Sequence, residues 1–209
     1  MRVDVLRRAR WLVVSVLLAG TACTTQADGT PTPGPTSAPS ETTTKPSEDP
    51  ADGAPRVADP LDATRFLTEP CTVLSQTQLA TFDVSRPGIP TTTGAIAENV
   101  GPFCAWHAAT ELASLIGVGF LTGNESGLSD TYRGRDQFDY FIPTTVNGYP
   151  AVFADDPDQR DSGTCNITVG ISDTLAISVS EQGLLDAQGS CDRAKQVAAA
   201  ALTTLKEAG

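Results

Sequence analysis

Four cysteines, Cys71, Cys104, Cys165 and Cys191, stand at wide intervals in the C-terminal part of this 209-residue chain. No pair has the close C-x₂-C spacing typical of a zinc site, and the chain holds a single histidine, His107. An even number of such cysteines in an exported protein indicates disulfides. The sequence therefore predicts a domain stapled by two disulfides, with no bound metal and no cofactor.

The N-terminus indicates export. Residues 2–10 hold four arginines, and the apolar run "WLVVSVLLA" follows over nine residues, 11–19. That run is shorter than the roughly 20 residues that a membrane-spanning helix needs. A basic region, an apolar core and a small-residue exit predict a secretory signal peptide over residues 1–22.

The fifth cysteine, Cys23, directly follows this signal. The stretch "GTAC" resembles a bacterial lipobox, because Thr21 and Ala22 fit its pattern, although Gly20 stands where leucine is usual. We therefore expect lipid attachment at Cys23 and a protein anchored on the extracytoplasmic face of the cell membrane. The alternative is an ordinary signal peptide whose removal leaves a free thiol, a liability in an oxidising compartment.

Composition separates a linker from a domain. Residues 24–58 contain 8 Thr, 7 Pro and 3 Ser and no aromatic residue. Such a segment buries too little apolar surface to offset its chain entropy. We expect a lipid-anchored, disordered linker over 23–58, and a single domain over 59–209, whose length of about 150 residues suits one core.

Charge excludes several partners. The whole chain has a net charge of −11, and removal of residues 1–22, with four Arg and one Asp, takes this to −14. No basic patch survives in the domain, which disfavours binding to nucleic acid. We expect a monomer whose membrane contact is the lipid anchor.

Alternation of apolar residues indicates strands in the domain. In "ELASLIGVGFL", one face carries Leu112, Ser114, Ile116, Val118 and Phe120, whereas the other face is mostly small. "TTVNGYPAVFA" predicts a hairpin, because Asn147-Gly148 tolerates the positive φ angles of a type I′ turn. A second hairpin is predicted from "TCNITVGIS" and "TLAISVS", which meet around Asp173.

Helices are predicted at both ends of the domain. Ser75 and Gln78 have the spacing of a capping box. The C-terminal stretch has an apolar stripe at helical spacing, formed by Ala194, Val197, Ala201 and Leu205. We therefore expect an α+β fold, with a twisted antiparallel sheet of about five strands, a short N-terminal helix and a C-terminal helix packed on the sheet.

Three disulfide connectivities are open, and we favour Cys71–Cys104 with Cys165–Cys191. A hairpin that leaves Cys165 returns close to its start by Val179, so a short further stretch brings Cys191 beside Cys165. Loops of this size constrain the unfolded chain by roughly 3–4 kcal/mol each.

Five motifs occur in this order within residues 60–207, the range that their resemblance to a known family covers: "EPCTVLSQTQLA", "FCAWH", "VNGYPAVF", "CNITVGI" and "CDRAKQVAAAALTTL". Together they resemble the actinobacterial lipoproteins of the domain-of-unknown-function 3558 family. The resemblance includes all four domain cysteines, Trp106, Gly148 and Ala151, and it implies no activity. The layout is also similar to the extracytoplasmic sensor domains of some mycobacterial receptor kinases, a fold-level analogy.

The chain has no complete catalytic set. His107 lies in the strand-like "CAWHA", and no G-x-S-x-G elbow accompanies it. Trp106 is predicted to pack in the core beside a disulfide. The carboxylates in "ADDPDQRDSG", Asp155, Asp156, Asp158 and Asp161, lack the spacing of an EF-hand and predict a solvated loop.

We therefore predict no catalytic residue and a non-enzymatic domain that binds a small apolar ligand or an envelope protein. One alternative is an accessory or sensory domain that docks on an envelope membrane protein. Another is an enzyme with carboxylate-only chemistry, such as a glycosidase, which needs two carboxylates facing each other across a cleft.

Overall fold

The computed structural model describes residues 53–108, 115–183 and 186–209; the predicted signal peptide, Cys23 and residues 24–52 of the predicted linker lie outside them. The helices are α1 (Thr64–Thr68), α2 (Gln76–Ala80), α3 (Ala95–Asn99), α4 (Leu128–Arg133) and α5 (Ala187–Ala208). The strands are β1 (Ile89–Thr91), β2 (Phe103–His107), β3 (Leu115–Phe120), β4 (Tyr140–Val146), β5 (Tyr149–Asp155), β6 (Thr164–Gly170) and β7 (Ala176–Gln182).

The strands form one antiparallel sheet in the order β1-β2-β3-β7-β6-β5-β4. The α+β class is confirmed, but the described residues form seven strands rather than about five. The strand that sequence patterns missed is β1, a three-residue edge strand around Pro90 whose Ile89 is 57% exposed. An edge strand has one partner and little burial, so it shows no apolar alternation.

Both predicted hairpins and the helix cap are present. Asn147 and Gly148 join β4 to β5 with φ angles of 49° and 86°, which a type I′ turn requires. In the second hairpin, Ile167 pairs with Val179. At the start of α2, the Ser75 side chain accepts from the Gln78 N–H at 3.2 Å, while Gln78 Oε1 accepts from the Ser75 N–H at 2.7 Å.

One face of the sheet, the covered face, holds the main core. Helix α5 lies against β6 and β7, and the segment from α1 to α2 packs toward β2 and β3. The predicted stripe of α5 is fully buried, as are the inward residues of β3. These buried side chains include Ile116, Val118, Phe120, Ala194, Val197, Ala201 and Leu205.

Two disulfides pin the covering elements to the sheet. Cys71–Cys104 joins the 3₁₀ turn Pro70–Val73 to β2, and Cys165–Cys191 joins β6 to α5. Each pair has a Cα–Cα separation of 5.0 Å, and both pairs are the ones favoured from the sequence. The disulfides therefore link the N-terminal and C-terminal covering elements to different halves of the sheet.

Residues 53–58, which sequence composition assigned to the linker, pack on the domain, and we call them the strap. Ala54 and Val57 are buried, and the Val57 N–H donates to Asp173 Oδ1 at 3.3 Å. Just beyond the strap, the Leu61 N–H donates to the Ile171 carbonyl at 2.8 Å. Two buried apolar side chains and the contacts with Asp173 thus dock a segment that composition alone assigns to a disordered linker.

Candidate functional site

Within residues 53–108, 115–183 and 186–209, the opposite face of the sheet is covered over β4–β6 but not over β2 and β3. Over β4–β6, Leu128 and Tyr132 of α4 pack with Ala54 of the strap on Val152. Over the middle of β2, β3 and β7, the outward residues are half-buried: Phe103, Ala105, Gly117, Gly119, Ser178 and Ser180. We call this second part the open face, and it contains the candidate site.

Two glycines form the floor of an apolar groove on the open face. Strand β3 reads "LIGVGF", so Ile116, Val118 and Phe120 point into the core while Gly117 and Gly119 point outward. Their lack of side chains leaves a depression of about 190 Å³. We call it the glycine groove.

The neighbouring strands supply the sides of the glycine groove. Gly119 lies between Phe103 of β2 and Ser178 of β7, and Gly117 has Ser180 as its β7 neighbour. A Cβ added at Gly117 would meet only the Ser180 Cβ, at 3.6 Å, an ordinary van der Waals contact. The space above Gly117 is therefore real room rather than a tight backbone approach.

The far wall of the groove, Val100 and Gly101, is clamped to the end of β3. The Gly123 N–H donates to the Val100 carbonyl at 3.0 Å, and the Phe120 N–H donates to the Pro102 carbonyl at 2.9 Å. Gly101 has φ +136°, and a Cβ there would overlap the Phe120 carbonyl oxygen. Glycine is required at this close approach, which fixes the wall against the strand.

Several exposed apolar side chains occur in the segment that leads to the groove. The described residues include four large hydrophobic side chains that are strongly exposed, and three of them fall within residues 89–100: Ile89 at 57%, Ile96 at 59% and Val100 at 50%. Ile89 lies on the same face as its β2 partner Ala105, and Val100 lines the groove. Val100 therefore adds apolar surface to the groove itself.

The predicted site residues are not brought together. His107 is exposed at the end of β2, whereas Trp106 is buried and belongs to the same core cluster as Cys104. A Cβ on Gly88 would lie 2.5 Å from Trp106 Nε1 and 2.9 Å from Cys71 Sγ, so ring and disulfide converge there. Trp106 therefore packs beside the Cys71–Cys104 disulfide, as predicted.

The acidic loop between β5 and β6 is organised by a bidentate ion pair. Arg160 donates to both carboxylate oxygens of Asp158, at 2.9 and 2.6 Å, and its guanidinium lies 3.9 Å from the centroid of the Tyr140 ring. The hydrogen bonds from Arg160 lower the pKa of Asp158 to about 2. Burial raises the pKa of the Tyr140 hydroxyl. The loop therefore supplies, through Arg160, a positive charge that pairs with one of its own carboxylates.

Sequence analysis missed one buried carboxylate. Glu181 of β7 is fully buried on the covered face, and its Oε2 lies 3.4 Å from Arg193 Nε of α5. Arg193 also donates to the Phe82 carbonyl at 2.5 Å. The burial of Glu181 could have been predicted from the sequence, because the alternation that places Ile177 and Val179 in the core places position 181 there too.

The described residues contain neither a metal-ligand cluster nor a membrane-spanning helix. Within 53–108, 115–183 and 186–209, no three His, Cys, Asp or Glu side chains come together in a way that could hold a metal ion. No helix in these ranges combines the length and apolarity that crossing a membrane requires.

Comparisons with known proteins place the chain in a family. Neither the curated proteins nor the solved structures contain a match. The model of one protein family, described as a protein of unknown function (DUF3558), matches residues 18–204. That match spans the whole sheet, both disulfides and the glycine groove. The chain therefore belongs to the DUF3558 family.

Proposed function

We propose that this protein is a non-enzymatic binding domain that holds a small apolar ligand in the glycine groove. It is anchored through a lipid on Cys23 at the extracytoplasmic face of the cell membrane. The single observation that carries the proposal is the pair Gly117 and Gly119 on the open face, where the same strand fills its other face with Ile116, Val118 and Phe120.

The chemistry of the groove supports binding of apolar groups. Its side chains are Val100, Phe103 and Leu121, with two serine hydroxyls, from Ser178 and Ser180, along one side. A ligand chain that buries about six methylene groups gains roughly 5 kcal/mol, at about 0.8 kcal/mol for each. This gain alone corresponds to a dissociation constant of about 0.2 mM, and association itself costs several kcal/mol. We therefore expect a ligand that stays bound through purification to extend beyond six methylene groups and to hydrogen-bond the serine hydroxyls.

The rigidity of the groove also supports a ligand site. Its floor is β3, an interior strand of the seven-stranded sheet, and its wall is held by hydrogen bonds at the end of β3. A preformed site loses little conformational entropy when it binds, so a modest apolar contact retains more of its free energy.

Filling the groove tests the proposal. Gly117→Val places a β-branched side chain above the floor, where a Cβ meets no close neighbour. Thr164→Val is the matched control, because Thr164 lies on the same face of β6 outside the groove. Both are made in a full-length Cys23→Ser chain, which cannot carry the lipid and is purified without detergent.

The measurement is native mass spectrometry after export in a bacterial host related to the actinobacteria. We expect a non-protein mass that is lost on denaturation, kept in Thr164→Val and absent from Gly117→Val. A mass retained in Gly117→Val contradicts the groove as its site. Hydrolytic turnover that disappears in His107→Ala contradicts a non-enzymatic role.

A second candidate function is docking on an envelope membrane protein. The exposure of Ile89, Ile96 and Val100 favours it, since a partner protein would cover these side chains. Crosslinking in intact cells separates the two functions. A reproducible protein partner lost in Ile96→Asp supports docking, and a bound small molecule without such a partner supports ligand binding.

A further inference from the structure

A second pocket lies where the strap meets the domain, away from the glycine groove. Three segments form this strap pocket: the strap itself, the stretch from Ser126 through α4, and the turn between β6 and β7. Its volume is about 260 Å³. Its polar side chains are Arg56, Ser126, Ser129, Arg133, Ser172 and Asp173.

Both arginines of the strap pocket are already paired with carboxylates. Arg56 Nη1 lies 3.1 Å from Asp173 Oδ2, and Arg133 contacts Asp130 one turn earlier in α4. The pocket is therefore lined by the pair Arg56–Asp173 and by Arg133, whose charge Asp130 offsets from outside the lining. A guanidinium carries five donors and a carboxylate about four acceptor sites, so each group can add a ligand contact to its existing pair.

The charge balance selects the class of ligand. A phosphate dianion would meet Asp173, and a simple cation would meet Arg56 and Arg133. A ligand that carries one carboxylate and one ammonium group matches both signs. The planar guanidinium fork suits a carboxylate, and a carboxylate suits an ammonium group. Val57 and Leu128 supply apolar contact between these charged ends.

We propose that the strap pocket binds a zwitterion of amino-acid or dipeptide size. Its carboxylate pairs with Arg133, its ammonium group pairs with Asp173, and the hydroxyls of Ser126, Ser129 and Ser172 hydrogen-bond its polar backbone. The side chains of Arg56 and Asp173 are 51% and 53% exposed, so each charged contact is screened by water. We therefore expect millimolar affinity.

Ligand binding in the strap pocket should also favour the docked position of the strap. Pro55, Arg56 and Val57 form one wall, so the pocket exists only while the strap is docked. The Val57 N–H donates to the same Asp173 that receives the ammonium group. Occupation of the pocket should therefore slow hydrogen exchange at Val57.

Three dipeptides that differ by one charge test the proposal. The probes are alanyl-alanine, N-acetyl-alanyl-alanine, which lacks the ammonium group, and alanyl-alanine amide, which lacks the carboxylate. Each is titrated into the full-length, ¹⁵N-labelled Cys23→Ser chain, and amide chemical shifts are followed. We expect shifts at Val57, Ser129 and Asp173, with alanyl-alanine binding about three- to fivefold more tightly than either blocked peptide.

Variants assign the two charges. Asp173→Asn should remove the preference for a free ammonium group, and Arg133→Gln the preference for a free carboxylate. Arg86→Gln, an exposed arginine outside the pocket, is the matched control and should change neither. Equal binding of the three peptides overturns the proposal, as does the absence of shifts at the solubility limit of alanyl-alanine.

The wild-type peptide series decides the question even if a variant fails to fold. The outcome is also separable from that of the glycine groove. Gly117→Val should leave the peptide series unchanged, while it removes the apolar ligand of the groove.

Discussion

The two faces of the sheet use the same strands for different purposes. On the covered face, β3 presents Ile116, Val118 and Phe120, all fully buried under α5 and the segment from α1 to α2. On the open face, the same strand presents Gly117 and Gly119, flanked by Phe103 and the serines of β7. Side chains fill the covered face completely, whereas the open face retains the glycine groove.

The contrast separates stability from recognition. A side chain on the covered face exchanges water for close contacts, which dominate folding. Glycine in a strand interior is unfavourable, because it adds no packing and loses more chain entropy. Two alternate glycines on the open face weaken the strand without any gain in packing, which is expected where a ligand approaches the backbone.

The largest expected effect is a difference in stability between two phenylalanine variants, one on each face of the sheet. Phe120→Ala should lower the free energy of unfolding by about 3–5 kcal/mol, because it leaves a cavity in the closed core. Phe103→Ala removes a half-buried ring beside the groove and should cost less than about 2 kcal/mol. Urea unfolding of both variants measures the difference. Equal losses would mean that the open face is packed as tightly as the covered one.

A smaller effect is expected at the buried ion pair. Glu181→Ala leaves Arg193 without this carboxylate. Because the Arg193 side chain is 19% exposed, water partly solvates its charge. We therefore expect the free energy of unfolding to fall by about 3 kcal/mol, the low end of the range for buried pairs. Asp158→Ala is the control, since its pair with Arg160 is solvated and should matter far less. Chemical denaturation at neutral pH tests both. A similar small loss for each variant would show that burial does not set the value of the pair.

The smallest effect concerns pH. The pKa of Asp158 falls from its ordinary value of 3.8 to about 2 because of hydrogen bonds from Arg160. A carboxyl with a lowered pKa in the folded state contributes stability above pH 3.8, and this is lost as the pH falls from 3.8 through about 2.

Titration of Asp158 by NMR measures this shift. In Arg160→Gln the pKa should return toward 3.8, and the folded protein should lose less stability between pH 3.8 and 2 than the wild type does. A pKa that stays near 2 in Arg160→Gln would assign the shift to another group.

The local elements were predictable where one signal dominates. Asn147-Gly148 specifies its turn through positive φ, Ser75 and Gln78 specify a cap, and the stripe of α5 specifies a buried helix face. Strand β1 escaped prediction because three residues at a sheet edge carry no periodic signal. The burial of Glu181 was not predicted, because a charged residue in a strand is usually expected to point toward solvent.

The family resemblance follows from the order of the motifs and the spacing of the cysteines. The local elements follow from the alternation along each strand. All three features are read directly from the sequence. The small residues on one side of β3 were equally visible in the sequence. Whether that side stays open was decided by tertiary structure, because α4 and the strap extend only over β4–β6. The strap pocket depended on tertiary structure even more, since it joins Arg56, Arg133 and Asp173, which are remote in sequence. Local physics specifies what each segment forms, and long-range packing alone specifies which surfaces remain for a ligand.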